Sequence, residues 1–113
     1  GTFTGGVVVD NITIDGTEID LSSGDLTVDV AGRIDLSADD NGEVRFFDGS
    51  SQYGKISDDS DRLKLMSVIS DADLIIAGND GGSEISAVTF DMSEGGNATF
   101  GGKIQAGVTA SDS

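Results

Sequence analysis

The chain has 113 residues, the size of one ordinary domain, and carries 17 Asp and 4 Glu against six Lys and Arg, a net charge of −15. It has no Cys, His, Trp or Pro; disulfides, thiolates, a histidine base and the commonest transition-metal ligand are missing, which argues against most hydrolase, redox and zinc chemistry. The acidity argues against nucleic acid and anionic membrane surfaces, which both need basic patches, and it suits an extended soluble particle or a salty medium.

The preference for Asp over Glu, with 17 Gly, favours turns over helices. The opening GTFTGGVVV lacks the charged start and long apolar stretch of a signal peptide. No run reaches the roughly 18 apolar residues of a spanning helix. From there, short segments of period two alternate with turn signals. Asp15-Gly16 precedes Glu18–Leu21, which sets Ile19 and Leu21 on one face. Asp25–Val30 sets Leu26, Val28 and Val30 on one face, and Arg33–Ser37 does the same with Ile34 and Leu36. After Asn41-Gly42, Glu43–Asp48 offers Val44 and Phe46, and FFDGSSQYG reads as two strands around an Asp-Gly-Ser turn. Arg62–Met66 offers Leu63 and Leu65, Asp73–Ala77 offers Leu74 and Ile76, and Glu84–Asp91 offers Val88 and Phe90. One apolar face per segment predicts half-buried strands and an all-β chain.

The opposite faces carry Asp20, Asp29, Arg33, Asp35, Glu43, Arg45, Arg62 and Lys64. These read first as solvated faces with cross-strand pairs, and Arg45, Arg62 and Lys64 as a small basic spot. Phe46, Phe47 and Tyr53 are half of the six aromatics and read as core; exposed, Tyr53 or Phe47 would make a contact platform. Asp39, Asp40, Asn41, Asn79 and Asp80 lie in Asn/Asp/Gly turns that resemble pieces of calcium loops. Neither an EF-hand spacing nor tandem nonapeptides accompany them, so they read as turn formers, with calcium the one cofactor they would suit. No G-x-S-x-G occurs and no His could activate a serine. Carboxylate pairs are expected by chance among so many acids. The chain reads as no enzyme.

The start, Thr2-Phe3-Thr4-Gly5-Gly6-Val7-Val8, is echoed by Thr99-Phe100-Gly101-Gly102-Lys103-Ile104. Read as a repeat, the echo would make residues 1–113 a single all-β segment, one unit of a longer string, with repeat boundaries near 1–8 and 97–107.

DGTEIDLSSGDLTVDVAGRIDLSADDNGEVRFFDGS, with the later GNATFGGKIQAG, resembles shaft segments of bacteriophage tail fibres, notably those of marine phages. The likeness covers Asp15–Ser50 and Gly96–Gly107. It implies an elongated, intertwined homotrimeric β-helix or β-prism, placed in the virion tail fibre and supporting attachment to the host. Its partners would be two further copies, other fibre or tail proteins and a host surface glycan or protein. The closing Ser111-Asp112-Ser113 is similar to the junction that precedes a self-cleaving fibre chaperone, whose Arg and Lys would lie beyond the last residue. In such a fibre the assembly core would be Ile19, Leu21, Leu26, Val28, Val30, Ile34, Leu36, Leu63, Leu65, Leu74, Ile76, Val88 and Phe90.

The alternation suits a monomeric β-sandwich or β-solenoid equally well. That architecture accompanies a second functional reading, an acidic, calcium-stabilised bacterial or archaeal surface adhesin or filament subunit outside the cell. A carbohydrate-binding module, the third reading, is disfavoured by one Tyr and no Trp.

Overall fold

A computed structural model describes residues 12–107, together with Thr4 and Asp10. The chain divides into two units, Gly1–Asp35 and Leu36–Ser113. The first echo segment falls largely outside the described residues, as does Ser111-Asp112-Ser113.

In the first unit, β1 (Ile12–Asp15) and β2 (Glu18–Leu21) form an antiparallel hairpin in which Ile12 faces Leu21 and Ile14 faces Ile19. Two residues join the strands, and Gly16 takes φ +58°, the left-handed conformation that a tight hairpin demands and that glycine adopts without a Cβ penalty. The alternating stretch after β2 behaves differently from its pattern. Leu26, Val28, Val30 and Ile34 lie outside any strand and are exposed, and Leu36, at the start of the second unit, is exposed and strandless too. Alternation fixes which side chains share a face; a strand also needs a ladder partner, and this stretch has none among the described residues.

The second unit holds two three-stranded meanders. The first is β3 (Val44–Asp48), β4 (Ser51–Asp59) and β5 (Arg62–Ser67), in sheet order β3-β4-β5. The second is β6 (Leu74–Asp80), β7 (Ser83–Asp91) and β8 (Asn97–Phe100), in sheet order β6-β7-β8. Tight turns link the strands. The β4–β5 turn places Ser60 and Asp61 at φ +50° and +69°. The Asp58 carboxylate supports it by accepting from the Asp61 amide at 2.7 Å. The β6–β7 turn uses Gly81 and Gly82 in left-handed conformations, with the Asn79 side-chain carbonyl accepting from the Gly82 amide at 2.8 Å. Between β7 and β8 a 3-10 turn, Met92–Glu94, is capped by Asp91, whose carboxylate accepts from the Ser93 amide and hydroxyl.

Each meander carries one bulge. Between Phe46 and Phe47 the β4 partner steps from Gly54 to Gln52, leaving Tyr53 as the extra residue. Between Ile76 and Ala77 the β7 partner steps from Val88 to Ser86, leaving Ala87 extra.

These three antiparallel sheets are separate and uncurled, which corrects the fold expected from sequence. A β-helix or β-prism needs strands that progress around an axis and pair beyond their sequence neighbours. Among the described residues every ladder joins consecutive strands, because short turns return each strand beside the one before it. The expected intertwined homotrimeric β-helix or β-prism fibre is therefore not this fold. A sandwich is also absent from the second unit: extensive strand-to-strand contact runs only between ladder neighbours, so neither meander is laid face to face on the other. The consequence is a thin core. Among the described residues Val88, 8% exposed, is the one buried hydrophobic side chain.

Candidate assembly surfaces

Cross-strand register sorts each meander into two faces, since directly opposed residues point the same way. In the first meander Val44, Ile56 and Leu65 form one row, followed by Phe46, Gly54 and Ser67. Leu63, opposite Asp58, extends this face and is 85% exposed. In the second meander Leu74, Phe90 and Ala98 form one row and Ile76, Val88 and Phe100 the next. Beyond the bulge Ile85, opposite Gly78, continues it. Val88 is buried because it is the middle of the middle strand, flanked by large apolar partners on both sides. Its neighbours Ile76, Ile85 and Phe100 remain about half accessible. Ile85 and Phe100 also wall an open cleft of about 540 Å³ with Asp80 and Lys103 at its margin.

The reverse face of the first meander is charged. Arg45, Lys55 and Met66 form a row, and Ser57–Lys64 and Asp59–Arg62 follow. Four of the six basic residues of the chain thus share one sheet face. Two acids divide them: Glu43 pairs with Arg45 and with Lys55 (3.2 Å), and Asp59 with Arg62 (2.9 Å) and with Lys64 (3.3 Å). The basic spot expected at Arg45, Arg62 and Lys64 is therefore present but spent on ion pairs. Lys55 completes it. Lys55 escapes a reading of the sequence because the Tyr53 bulge breaks the alternation just before it.

The two cations beside Glu43 hold its carboxyl below the ordinary carboxylate value, Arg45 contributing first and Lys55 second. Stability contributed by this group is present at neutral pH, above the unfolded pKa, and is lost as pH falls through the lowered folded value. Urea unfolding followed across an acid pH series should show that loss for the wild type. The Glu43→Gln variant should show a flatter acid limb; an unchanged limb would remove Glu43 from the account.

The expected assembly-core residues divide by position. Val88 is buried, and Leu21, Leu74 and Phe90 are half-buried. Ile19, Leu63, Leu65 and Ile76 are exposed within strands, while Leu26, Val28, Val30, Ile34 and Leu36 are exposed outside them. Of the expected aromatic cluster, Phe46 is half-buried and stacks obliquely on Tyr53 with centroids 6.3 Å apart, whereas Phe47 and Tyr53 are mostly in solvent.

Three of the residues considered for calcium accept backbone amides, Asp40 and Asn79 within their own turns and Asn41 from β4. The Asp40 carbonyl accepts from Glu43, the Asn41 carbonyl from Asp58, and Asn79 caps the β6–β7 turn ahead of Asp80. Among the described residues no three acidic side chains gather in a metal-binding group, Asp39 and Asp40 included, and no helix is long and apolar enough to cross a membrane. No protein-family model, curated protein or solved structure matches the chain.

Proposed function

We propose that the chain is a non-catalytic structural module of an acidic surface adhesin or filament, bacterial or archaeal, that works outside the cell by contact and cohesion. The observation that carries this reading is the pair of meanders whose apolar faces stay largely exposed among the described residues. A three-stranded sheet with one apolar face stands at the threshold of independent stability, and an exposed apolar face of that kind marks a contact surface. Net charge of −15 keeps the module dispersed until it meets a surface that fits. The separate, uncurled sheets favour this role over the shaft of a tail fibre.

The test is absolute mass in solution by light scattering, with calcium present and then chelated, beside a turnover assay on ester, glycoside and phosphate substrates. Assemblies of several chains in both conditions, without turnover, are expected. A monomer at every concentration, or catalysed turnover, overturns the reading.

A further inference from the structure

We infer that Asn97 is the acceptor of an N-linked glycan, which shields the open edge of β8. The inference rests on the extracellular role proposed above and adds to it a modification and its donor, a lipid-linked oligosaccharide. Sequence, geometry and edge chemistry carry it.

Asn97-Ala98-Thr99 is an Asn-x-Thr acceptor triplet without proline at its centre. Of the four Asn in the chain, Asn11 begins the other such triplet, Asn11-Ile12-Thr13, and lies outside the described residues.

The placement of Asn97 suits an acceptor. It opens β8 directly after the 3-10 turn and two left-handed glycines, Gly95 and Gly96 at φ +72° and +84°. In the ladder Asn97 lies opposite Asp91 and Thr99 opposite Thr89, whereas Ala98 and Phe100 lie opposite Phe90 and Val88. Residues two apart share a face of a strand, so Asn97 and Thr99 stand together on the side away from Val88 and Phe90. Both are exposed. The Asn97 side-chain amide has no hydrogen-bond partner among the described residues. A sugar joined there disturbs neither the ladder nor the apolar rows.

The edge gives the glycan a use. β8 is an outer strand of its sheet, and an unpaired strand edge is a template for another chain unless charge, proline, a bulge or a cover blunts it. The other outer strands of the meanders carry charge: Arg45 and Asp48 on β3, Arg62 and Lys64 on β5, Asp80 on β6. β8, Asn97-Ala98-Thr99-Phe100, is the one strand among the described residues with no charged side chain. A bulky hydrated glycan on its first residue supplies the missing block.

In the transfer the Asn97 amide nitrogen attacks C1 of the first sugar of the donor. The N–C1 bond forms while the bond from C1 to the lipid phosphate oxygen breaks; the phosphate leaves with that electron pair, and the amide gives up one proton. The Thr99 hydroxyl is the group by which a transferase recognises the acceptor.

The full chain is secreted, with an appended flexible Asn-Ala-Thr tag, from a host that glycosylates Asn-x-Ser/Thr triplets and modifies the tag. Peptide mass mapping should find a glycan mass on the peptide holding Asn97. That mass should be lost in Asn97→Gln and in Thr99→Ala and kept in Thr99→Ser. Unglycosylated Asn97→Gln protein should also turn turbid severalfold faster than the glycosylated wild type, since Gln leaves the edge uncharged. A modified tag beside a bare Asn97, a glycan that persists in Thr99→Ala, or equal turbidity each overturns the inference and leaves the structural role standing. The structural role fails separately, by the mass and turnover measurements above, whatever Asn97 carries.

Discussion

Replacing Val88 with Asp is expected to unfold the β6–β8 meander. Val88 sits between Ile76 and Phe100 in the ladder and is the one buried hydrophobic side chain among the described residues. A carboxylate there has no cation within its rows and loses the apolar contact that holds three strands to one face. The cost of a buried, unpaired charge is about 3 kcal/mol or more, a large share of the stability that a small unit holds. Amide hydrogen exchange localises the effect: protection should vanish in β6, β7 and β8 and persist in β3, β4 and β5, because no ladder joins the two meanders. Simultaneous loss in both would mean that they fold as one cooperative body, and the account of separate sheets would be wrong.

Gly101→Ala should be the second most damaging single change, despite involving one methyl group. The Gly101 amide donates to the Ala87 carbonyl at 2.9 Å, which pins the chain leaving β8 against the bulge of β7. A Cβ at Gly101 would drive into the Ser86 carbonyl oxygen, a backbone atom with no freedom to swing away. Relief requires the end of β8 to peel off, an overpacking cost of about 1–3 kcal/mol. Gly102 is the internal control, with open space around its Cβ position. Gly102→Ala should stay within about 0.5 kcal/mol of the wild type. Urea midpoints for the two variants check the pair, and equal midpoints would refute the close approach.

Much of the strand content is legible in the alternation. Glu18–Leu21 is β2 residue for residue, and the segments around Leu63, Leu74 and Val88 become β5, β6 and β7. The hairpin turns at Asp15-Gly16, Asp48-Gly49 and Asn79–Gly82 are legible because their glycines and Asx residues have few other uses. The failure at Leu26–Leu36 has a physical cause. A period of two describes one strand in isolation, whereas pairing depends on whether a second segment arrives at the right place. The bulges at Tyr53 and Ala87 are invisible for a related reason: each is a property of two strands in register. The apolar faces could be seen in the sequence as residue types, but not as surfaces, since what covers them is decided by sheet-on-sheet packing. The charged face was half visible, through Arg45, Arg62 and Lys64, and needed the register to bring in Lys55.

The ladders between sequence neighbours have a kinetic consequence. A chain whose pairings all close across tight turns pays little loop entropy before its contacts form. Each meander zips from its own hairpin on the timescale of hairpin closure, microseconds, without waiting for a distant strand to arrive. The sequence also holds no Pro, so no slow isomerisation interrupts refolding. During synthesis β1–β2, β3–β5 and β6–β8 would emerge and close in turn, one behind the other.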